Sequence, residues 1–292
     1  MKRVLCIADS CCDLIFGGLD RLPAPGEEVY GTHFSVQAGG GANTAVLLAR
    51  CGVPTSFWTA PGDDFAGNLI REALSRSGVR LISHRQAARR TPVSAVLSTD
   101  ADRAFASFAE PGRLIEDEDA LEAAIRDADI VHTYLGYCAA FPIPRLCEKH
   151  ARLLSVDTSF CDADPERLES VLPHCDYWKG NEGEARLLTG KSDAEEALLL
   201  LSEQVRKGAV VTCGAHGSIG RERGGALVRQ PAIDCGPFVD ACGAGDAFAA
   251  GMLAGLSRSE SFPDCLMRGA QLAGTVVTAY GGCPETLEIP RR

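Results

Sequence analysis

The sequence predicts an α/β fold: a mostly parallel central sheet with helices on both faces and a small β-sheet lid, in one domain over residues 1–292. Two observations carry this expectation. Short apolar segments alternate with helix-like ones through most of the chain, the pattern of strands joined by crossover helices. Two stretches, about 12–37 and 92–108, interrupt it with extended or turn-rich sequence and no helical period. Strands inserted into such an order pair as a separate small sheet covering the site, and a lid of this kind excludes water from it.

In chain order, Val4 to Ala8 is a short apolar run and reads as the first strand. Leu14-Ile15-Phe16, the turn-rich Leu22-Pro23-Ala24-Pro25-Gly26 and the extended Glu28 to Val36 make up the first lid segment. Ala42 to Cys51 reads as a helix stopped by Gly52 and Pro54, and Phe65 to Ser77 as a helix closed by Gly78. The second lid segment is a hairpin, Val93 to Ser98 and Arg103 to Phe108, around Thr99-Asp100-Ala101-Asp102. A helix near Asp119 to Asp127, strands at Ile130 to Thr133 and Leu153 to Asp157, and a helix near Pro165 to Leu172 follow. Ser192-Asp193-Ala194-Glu195 has the pattern of a capping box and predicts a helix to about Lys207, before the strand Ala209 to Thr212. The last long helix is predicted over Asp264 to Tyr280. In such a sheet, ligands sit at the carboxyl ends of the strands.

Composition narrows the function classes. At 46% hydrophobic and 23% charged residues the chain has ample material for a core. A formal net charge of −10 argues against nucleic acid as a partner, since binding a polyanion needs a basic surface. No run approaches the roughly 18 apolar residues of a membrane span. Val4 to Ala8 is too short for a signal-peptide core, so the expected location is the cytoplasm. The 13 cysteines are scattered without a Cys-x-x-Cys pair and read as reduced thiols, including Cys11, Cys12 and Cys242 near the functional segments. The six histidines have no paired spacing and read as surface or core residues.

The stretch Asp240 to Gly251 carries the most chemistry. A turn of small residues opens a helix there, so N–H groups at residues 243 to 246 lack intrahelical acceptors and, with the helix dipole, can hold an anion. Gly243 and Gly245 permit close approach of a ligand. Asp246 is a poor choice for binding phosphate, because a carboxylate repels it; it suits the work of a base that takes the proton of an attacking hydroxyl. It is equally a favoured helix-capping residue, and the segment alone leaves both readings open. The second Gly-rich segment, Ala38 to Ala45, also leads into a helix. It is either a ligand loop or a loop tightly packed on that helix. Asn43 offers donors and an acceptor for hydroxyls, and Asp13 can accept from two neighbouring hydroxyls.

Other nucleotide motifs fail on spacing. Gly190-Lys191-Ser192 would complete a P-loop, but the required Gly five residues before Gly190 is Ala185. Gly243-Ala244-Gly245 reaches Phe248 where the dinucleotide fingerprint requires Gly or Ala.

Taken together, these segments resemble the ribokinase-like (PfkB-type) carbohydrate kinase family along nearly the whole chain and in the right order. Asp240 to Gly251 resembles the family's carboxy-terminal signature, and Gly39 to Asn43 its amino-terminal one. Leu22 to Glu27 and Gly62-Asp63-Asp64-Phe65-Ala66-Gly67 are similar to two further blocks, Asn181 to Ala185 to the Asn-x-x-Glu motif, and Thr212 to Gly217 to the nucleotide-side loop. The resemblance implies a ribokinase-like fold and an ATP-dependent kinase. Asp246 would be the base, and the amides of Gly243, Ala244 and Gly245 the anion hole. Asp13, Gly39, Gly40, Asn43 and Arg103 would meet the substrate; Asn181, Thr212, Gly214 and Gly217 would meet the nucleotide. Glu184, with Asn181, would organise Mg²⁺ through its water shell. Asp240 would serve a monovalent cation such as K⁺.

The chain departs from the usual pattern at Ala38, Ala241 and Cys11, which replace a Gly, a Thr and an Asn, and Gly40 stands where ribokinase itself carries Lys. The implied reaction is in-line transfer of the ATP γ-phosphoryl group to a primary hydroxyl of a sugar or related polyol. A nucleoside kinase of the same family, or a non-catalytic sugar- or nucleotide-binding regulator, stands as the alternative. Arg89, Arg90, Arg103 and Arg113 cluster around the hairpin and would receive a second phosphate or simply solvate the surface. The lid's exposed edge is a place where a second copy would pair as a homodimer.

Overall fold

The computed structural model describes residues 1–82, 89–99, 103–112, 114–158, 164–285 and 287–289. The chain opens with β1 (Val4–Ile7), followed by β2 (Ser10–Leu19), β3 (His33–Gly40) and α1 (Gly41–Arg50). Next come β4 (Thr55–Trp58), α2 (Phe65–Arg76), β5 (Arg80–Ile82), β6 (Val93–Thr99) and β7 (Arg103–Phe108). The middle of the chain holds α3 (Glu118–Asp127), β8 (Ile130–Tyr134), α4 (Leu135–Ala140), α5 (Ile143–Lys149), β9 (Leu153–Asp157) and α6 (Pro165–Val171). Then follow β10 (Tyr177–Asn181), α7 (Glu182–Thr189), α8 (Ala194–Gln204), β11 (Gly208–Thr212), β12 (Ser218–Glu222) and β13 (Leu227–Gln230). Two helices, α9 (Ala244–Ser257) and α10 (Phe262–Val276), close the fold.

Nine strands form the central sheet in the order β13-β12-β11-β10-β9-β8-β1-β4-β5. From β11 to β5 every pairing is parallel, while β12 and β13 add on antiparallel. A strand covered on both faces needs apolar residues in succession, and β1 shows the result: Val4 and Cys6 enter one core, Leu5 and Ile7 the other. The first core gathers α1, α2, α9 and α10 through residues such as Leu47, Ile70, Leu253 and Leu266. The second gathers α3 to α8 through Leu121, Leu146, Leu168 and Leu198. This is the ribokinase-like α/β architecture expected from the sequence. No helix among the described residues is long and apolar enough to cross a membrane.

The remaining strands form the lid sheet in the order β3-β2-β6-β7, with β2 and β6 parallel and the outer pairs antiparallel. Its inner face carries Ile15 and Val96, which pack on Cys242 beside the start of α9. The first lid segment pairs over a different span from the one expected, since β2 begins at Ser10 and residues 28–32 stay outside the strand. The hairpin turn at 100–102 lies outside the described residues.

Several local expectations are corrected. The cap of α8 is Asp193, whose carboxylate accepts from Glu195 N and Glu196 N, so Ser192 is one residue too early for a capping box. A true capping box forms instead at Asn181 and Glu184, at the start of α7. Helix α8 stops at Gln204 rather than Lys207. Helix α10 begins two residues before Asp264, because Ser261 caps it and Pro263 is tolerated in a first turn. It ends at Val276, and Tyr280 beyond it stacks on His33 with ring centroids 4.4 Å apart. The strands β4, β5, β10, β12 and β13 and the helices α4 and α5 are too short to show a period and went unread.

The block at 62–67 has a mechanical explanation. Asp64 caps α2 by accepting from Gly67 N at 2.7 Å. The same carboxylate accepts from Thr91 N at 2.8 Å and Thr91 Oγ1 at 2.7 Å, and Gly62 N donates to Thr91 Oγ1. One side chain therefore ties a core helix to the root of lid strand β6. Asp64→Ala removes a cap and strands a buried N–H, and is expected to cost about 2–4 kcal/mol in urea unfolding. Asp63→Ala, at an exposed neighbour paired with Arg71, is expected to stay within about 0.5 kcal/mol of the parent.

Candidate active site

A polar cavity of about 410 Å³ opens where the carboxyl ends of β1, β8, β9, β10 and β11 meet the start of α9. Next to it lies an apolar recess of about 290 Å³ that includes Phe238 and Phe248; the two share Thr212, Ala241 and Gly245. The strand order brings these ends together, and the two loops leading into α1 and α9 supply the remaining wall.

Helix α9 starts from Gly243, which has φ 72° and provides no side-chain cap. A side chain there would be strained and would collide with Gly282, so the turn depends on glycine. Asp246 is therefore not the cap. It sits in the first turn of the helix, and its carboxylate accepts from Asn43 Nδ2 on Oδ2 and from Tyr134 Oη on Oδ1, both at 3.0 Å. Burial raises its pKa above the ordinary carboxylate range; the bonds from Asn43 and Tyr134 and the nearby Lys179 charge pull it partly back, while Asp157 adds to the rise. A carboxylate so placed lines the cavity at the start of α9 with its basicity increased.

Lys179 is buried in the same wall and pairs with Asp157 at 2.9 Å. Burial alone would lower its pKa, but Asp157 outweighs that and raises it, so it stays an ammonium. Asn181 and Glu184 line the cavity while capping α7: Asn181 Oδ1 accepts from Glu184 N, and Glu184 Oε2 accepts from Asn181 N. Among the described residues, no group of three His, Cys, Asp or Glu side chains could hold a metal ion directly.

The expected substrate residues fall on one side. Asp13 is buried and accepts from Cys11 Sγ at 3.0 Å; a Cβ on Gly39 would collide with its carboxylate. Burial pushes the pKa of Asp13 up to about 6, the Cys11 bond lowers it, and Asp246 raises it. Asn43 Oδ1 is buried with no hydrogen-bond partner. Gly40 and Arg103 line the cavity, and Arg103 also lies 5.9 Å from the Phe105 ring. On the other side, Gly214, Gly217 and Ala244 line the apolar recess with Thr212. Asp13, Gly39 and Asn43 stand behind the cavity wall rather than in it.

Asp240 is buried, and its carboxylate accepts from Ser98 Oγ, Cys242 N and Gly281 N at 3.0 to 3.2 Å. It braces the lid strand against the turn before α9. Arg89 pairs with Asp9, Arg90 with Glu110, and Arg113 and His84 lie outside the described residues. The described cysteines are all free; burial pushes the Cys242 thiol up to about 12, which leaves it a poor nucleophile.

Sequence reasoning missed Tyr134, Lys179, Asp157, Asp9 and Tyr137, all of which line the cavity. A lysine directly after Tyr177-Trp178 was the one readable signal, because a buried lysine needs a partner. Tyr134 ends a strand and nothing in its neighbours marks it.

Residues 1–289 match the family model described as pfkB family carbohydrate kinase. The chain is similar to the fructoselysine 6-kinase of Escherichia coli (strain K12), 27% identical over 96% of this chain and 99% of that protein. It is 28% identical to the nucleoside kinase of Methanothermobacter thermautotrophicus over 100% of this chain and 95% of that protein. Among solved structures, Arabidopsis thaliana ribokinase complexed with ribose and ATP superposes with a TM-score of 0.81 at 25% identity, covering 96% of this chain and 94% of the other.

The raised pKa of Asp13 makes it a cost to folding. The folded state binds its proton more tightly than the unfolded chain, so stability falls as pH rises from about 4 to about 6. Asp13→Asn is expected to gain about 1–3 kcal/mol at pH 7.5, a gain that vanishes below about pH 4, in urea unfolding at both pH values.

Proposed function

The chain belongs to the pfkB family of carbohydrate kinases, and we propose that it transfers the γ-phosphoryl group of ATP to a primary hydroxyl of an unphosphorylated sugar or related polyol, with Asp246 as base. The observation that carries this reading is the carboxylate of Asp246, held by Asn43 and Tyr134 at the start of α9, in the wall of a polar cavity that adjoins an apolar recess. Similarity to kinases of this family supports phosphotransfer, and the choice of base and substrate rests on the residues of the cavity.

The accepting hydroxyl gives its proton to Asp246 as its oxygen bonds to the γ-phosphorus, and the bond to the bridging oxygen breaks to release ADP. N–H groups at the start of α9, over Gly243, Ala244 and Gly245, and the Lys179 ammonium take up charge on the moving group. The apolar recess, lined by Thr212, Gly214 and Gly217, suits the base of the nucleotide, with Asn181 in the polar cavity on the side of its phosphates. Asp13 and Asn43, one layer behind the wall at the other end, would meet a sugar hydroxyl where the wall gives way to it, and the partnerless Oδ1 of Asn43 is the acceptor left for that contact. Gly39 lets Asp13 come close to the loop, and Gly40 and Arg103 border the same end. Glu184 and Asn181 would hold Mg²⁺ through its water shell, since one Glu184 oxygen is engaged in the cap and no three-ligand cluster exists among the described residues; the ion would neutralise phosphate charge. A monovalent cation such as K⁺ near Asp240 would rest on main-chain oxygens.

A nucleoside as acceptor is the second reading, favoured by the similarity to a nucleoside kinase. ADP release against a panel of sugars and nucleosides decides between them. Binding without any ADP release would favour a non-catalytic regulator.

We also propose a homodimer through the lid. Its outward face carries Phe16 against Phe34, ring centroids 5.1 Å apart, with Leu97 and Phe108 on the same face. The three phenylalanines are 38% to 59% exposed, and an uncharged patch can meet its own copy across a two-fold axis. Sedimentation velocity is expected to give a dimer for the parent and a monomer for Phe34→Glu.

Asp246→Asn is expected to lower kcat by roughly 10²- to 10⁴-fold with ATP binding little changed, as read by ADP release and calorimetry. Tyr134→Phe removes a hydrogen bond that favours the charged carboxylate, so the acid limb of kcat/KM is expected to move to higher pH by about 0.5–1 unit. An unmoved limb would leave Tyr134 a packing residue.

A further inference from the structure

The cavity holds a second carboxylate that phosphoryl transfer does not use. Asp9 follows β1, lines the cavity, and has a side chain 38% exposed. Its backbone is pinned on both sides: its N–H donates to Tyr137 Oη and its C=O accepts from Gly41 N, each at 3.0 Å. Tyr137 Oη donates back to Asp9 Oδ2 at 3.0 Å. Two tyrosines on one turn therefore each orient one carboxylate of the cavity, Tyr134 the base and Tyr137 Asp9.

Arg89 stands 3.6 Å from Asp9 Oδ1 with a side chain only 8% exposed. That separation is too long for a hydrogen bond, and Arg89 Nε and Nη1 have no such partner. The arginine thus offsets some of the charge of Asp9 without occupying its lone pairs. The walls carry Asp9, Asp157, Glu184 and Asp246 against Lys179 and Arg103, and Lys179 is already spent on Asp157. A molecule seated in the cavity displaces water from Asp9, and a charged donor replaces that water far better than a neutral hydroxyl does. An anionic substituent would be repelled.

We infer that Asp9 is a specificity residue that selects sugars carrying a protonated amine. The inference rests on the kinase reading for which hydroxyl is modified, and binding tests it separately. The assay compares kcat/KM for glucosamine, glucose and N-acetylglucosamine, and for 1-amino-1-deoxyfructose and fructose. Calorimetry measures binding of the same sugars. A charge-assisted contact predicts a preference of roughly 10- to 100-fold for the amine over its neutral parent in at least one series. N-acetylation, which removes the charge, should abolish it. Asp9→Asn should cut the preference at least about tenfold in both readouts. The double variant Asp9→Asn/Arg89→Gln should behave alike while leaving no unpaired buried cation. Equal treatment of amine and neutral sugars by the parent, or a preference that survives both variants, overturns the assignment. If no compound yields ADP, the kinase reading fails, and the calorimetric ratio still decides the role of Asp9.

Discussion

A carboxylate kept away from water beside the positive end of a helix is the constraint around which this site is arranged. Burial makes Asp246 more basic but also makes its charge expensive, so the fold must supply donors for both oxygens. Asn43 comes from α1 and Tyr134 from the end of β8, elements distant in sequence that meet only when the sheet and α9 are assembled. Lys179 adds a compensating charge from β10, itself balanced by Asp157 of β9. Removing one member leaves another buried group unpaired, which is why the set behaves as a unit rather than as separate contacts.

The lid is joined to this arrangement by two carboxylates that do no chemistry. Asp64 ties the root of β6 to the cap of α2. Asp240 receives Ser98 of β6, Cys242 of the turn before α9 and Gly281 beyond α10. Ile15 and Val96 on the lid's inner face complete the contact by packing on Cys242. A movement of the lid therefore pulls on the turn that presents the N–H groups of α9, a coupling suited to a reaction in which water must be excluded while phosphate is held.

Much of this was legible because its signals are local. A run of glycine before a helix, a carboxylate in its first turn, and strands alternating with helices are all patterns of neighbours along the chain. The Asn181 to Glu184 spacing was legible as a site motif, yet its first structural job, a capping box, was assigned by the sequence reading to Ser192 to Glu195 instead. Both segments carry a short polar residue three before a Glu, and only the neighbouring strand β10 decides where helix α7 begins.

The chain order of amino acids by itself determined the parallel sheet, the lid segments, the glycine turn and the identity of the acid at its helix, since each follows from periodicity and backbone stereochemistry within a few residues. Tertiary structure alone decided that Tyr134 and Asn43 grip that acid, that Lys179 and Asp157 neutralise one another in the wall, and that Asp9 looks into the same space. Those contacts join residues from about 20 to 200 positions apart. Their partners are chosen by strand order and burial, quantities that no short window of sequence contains.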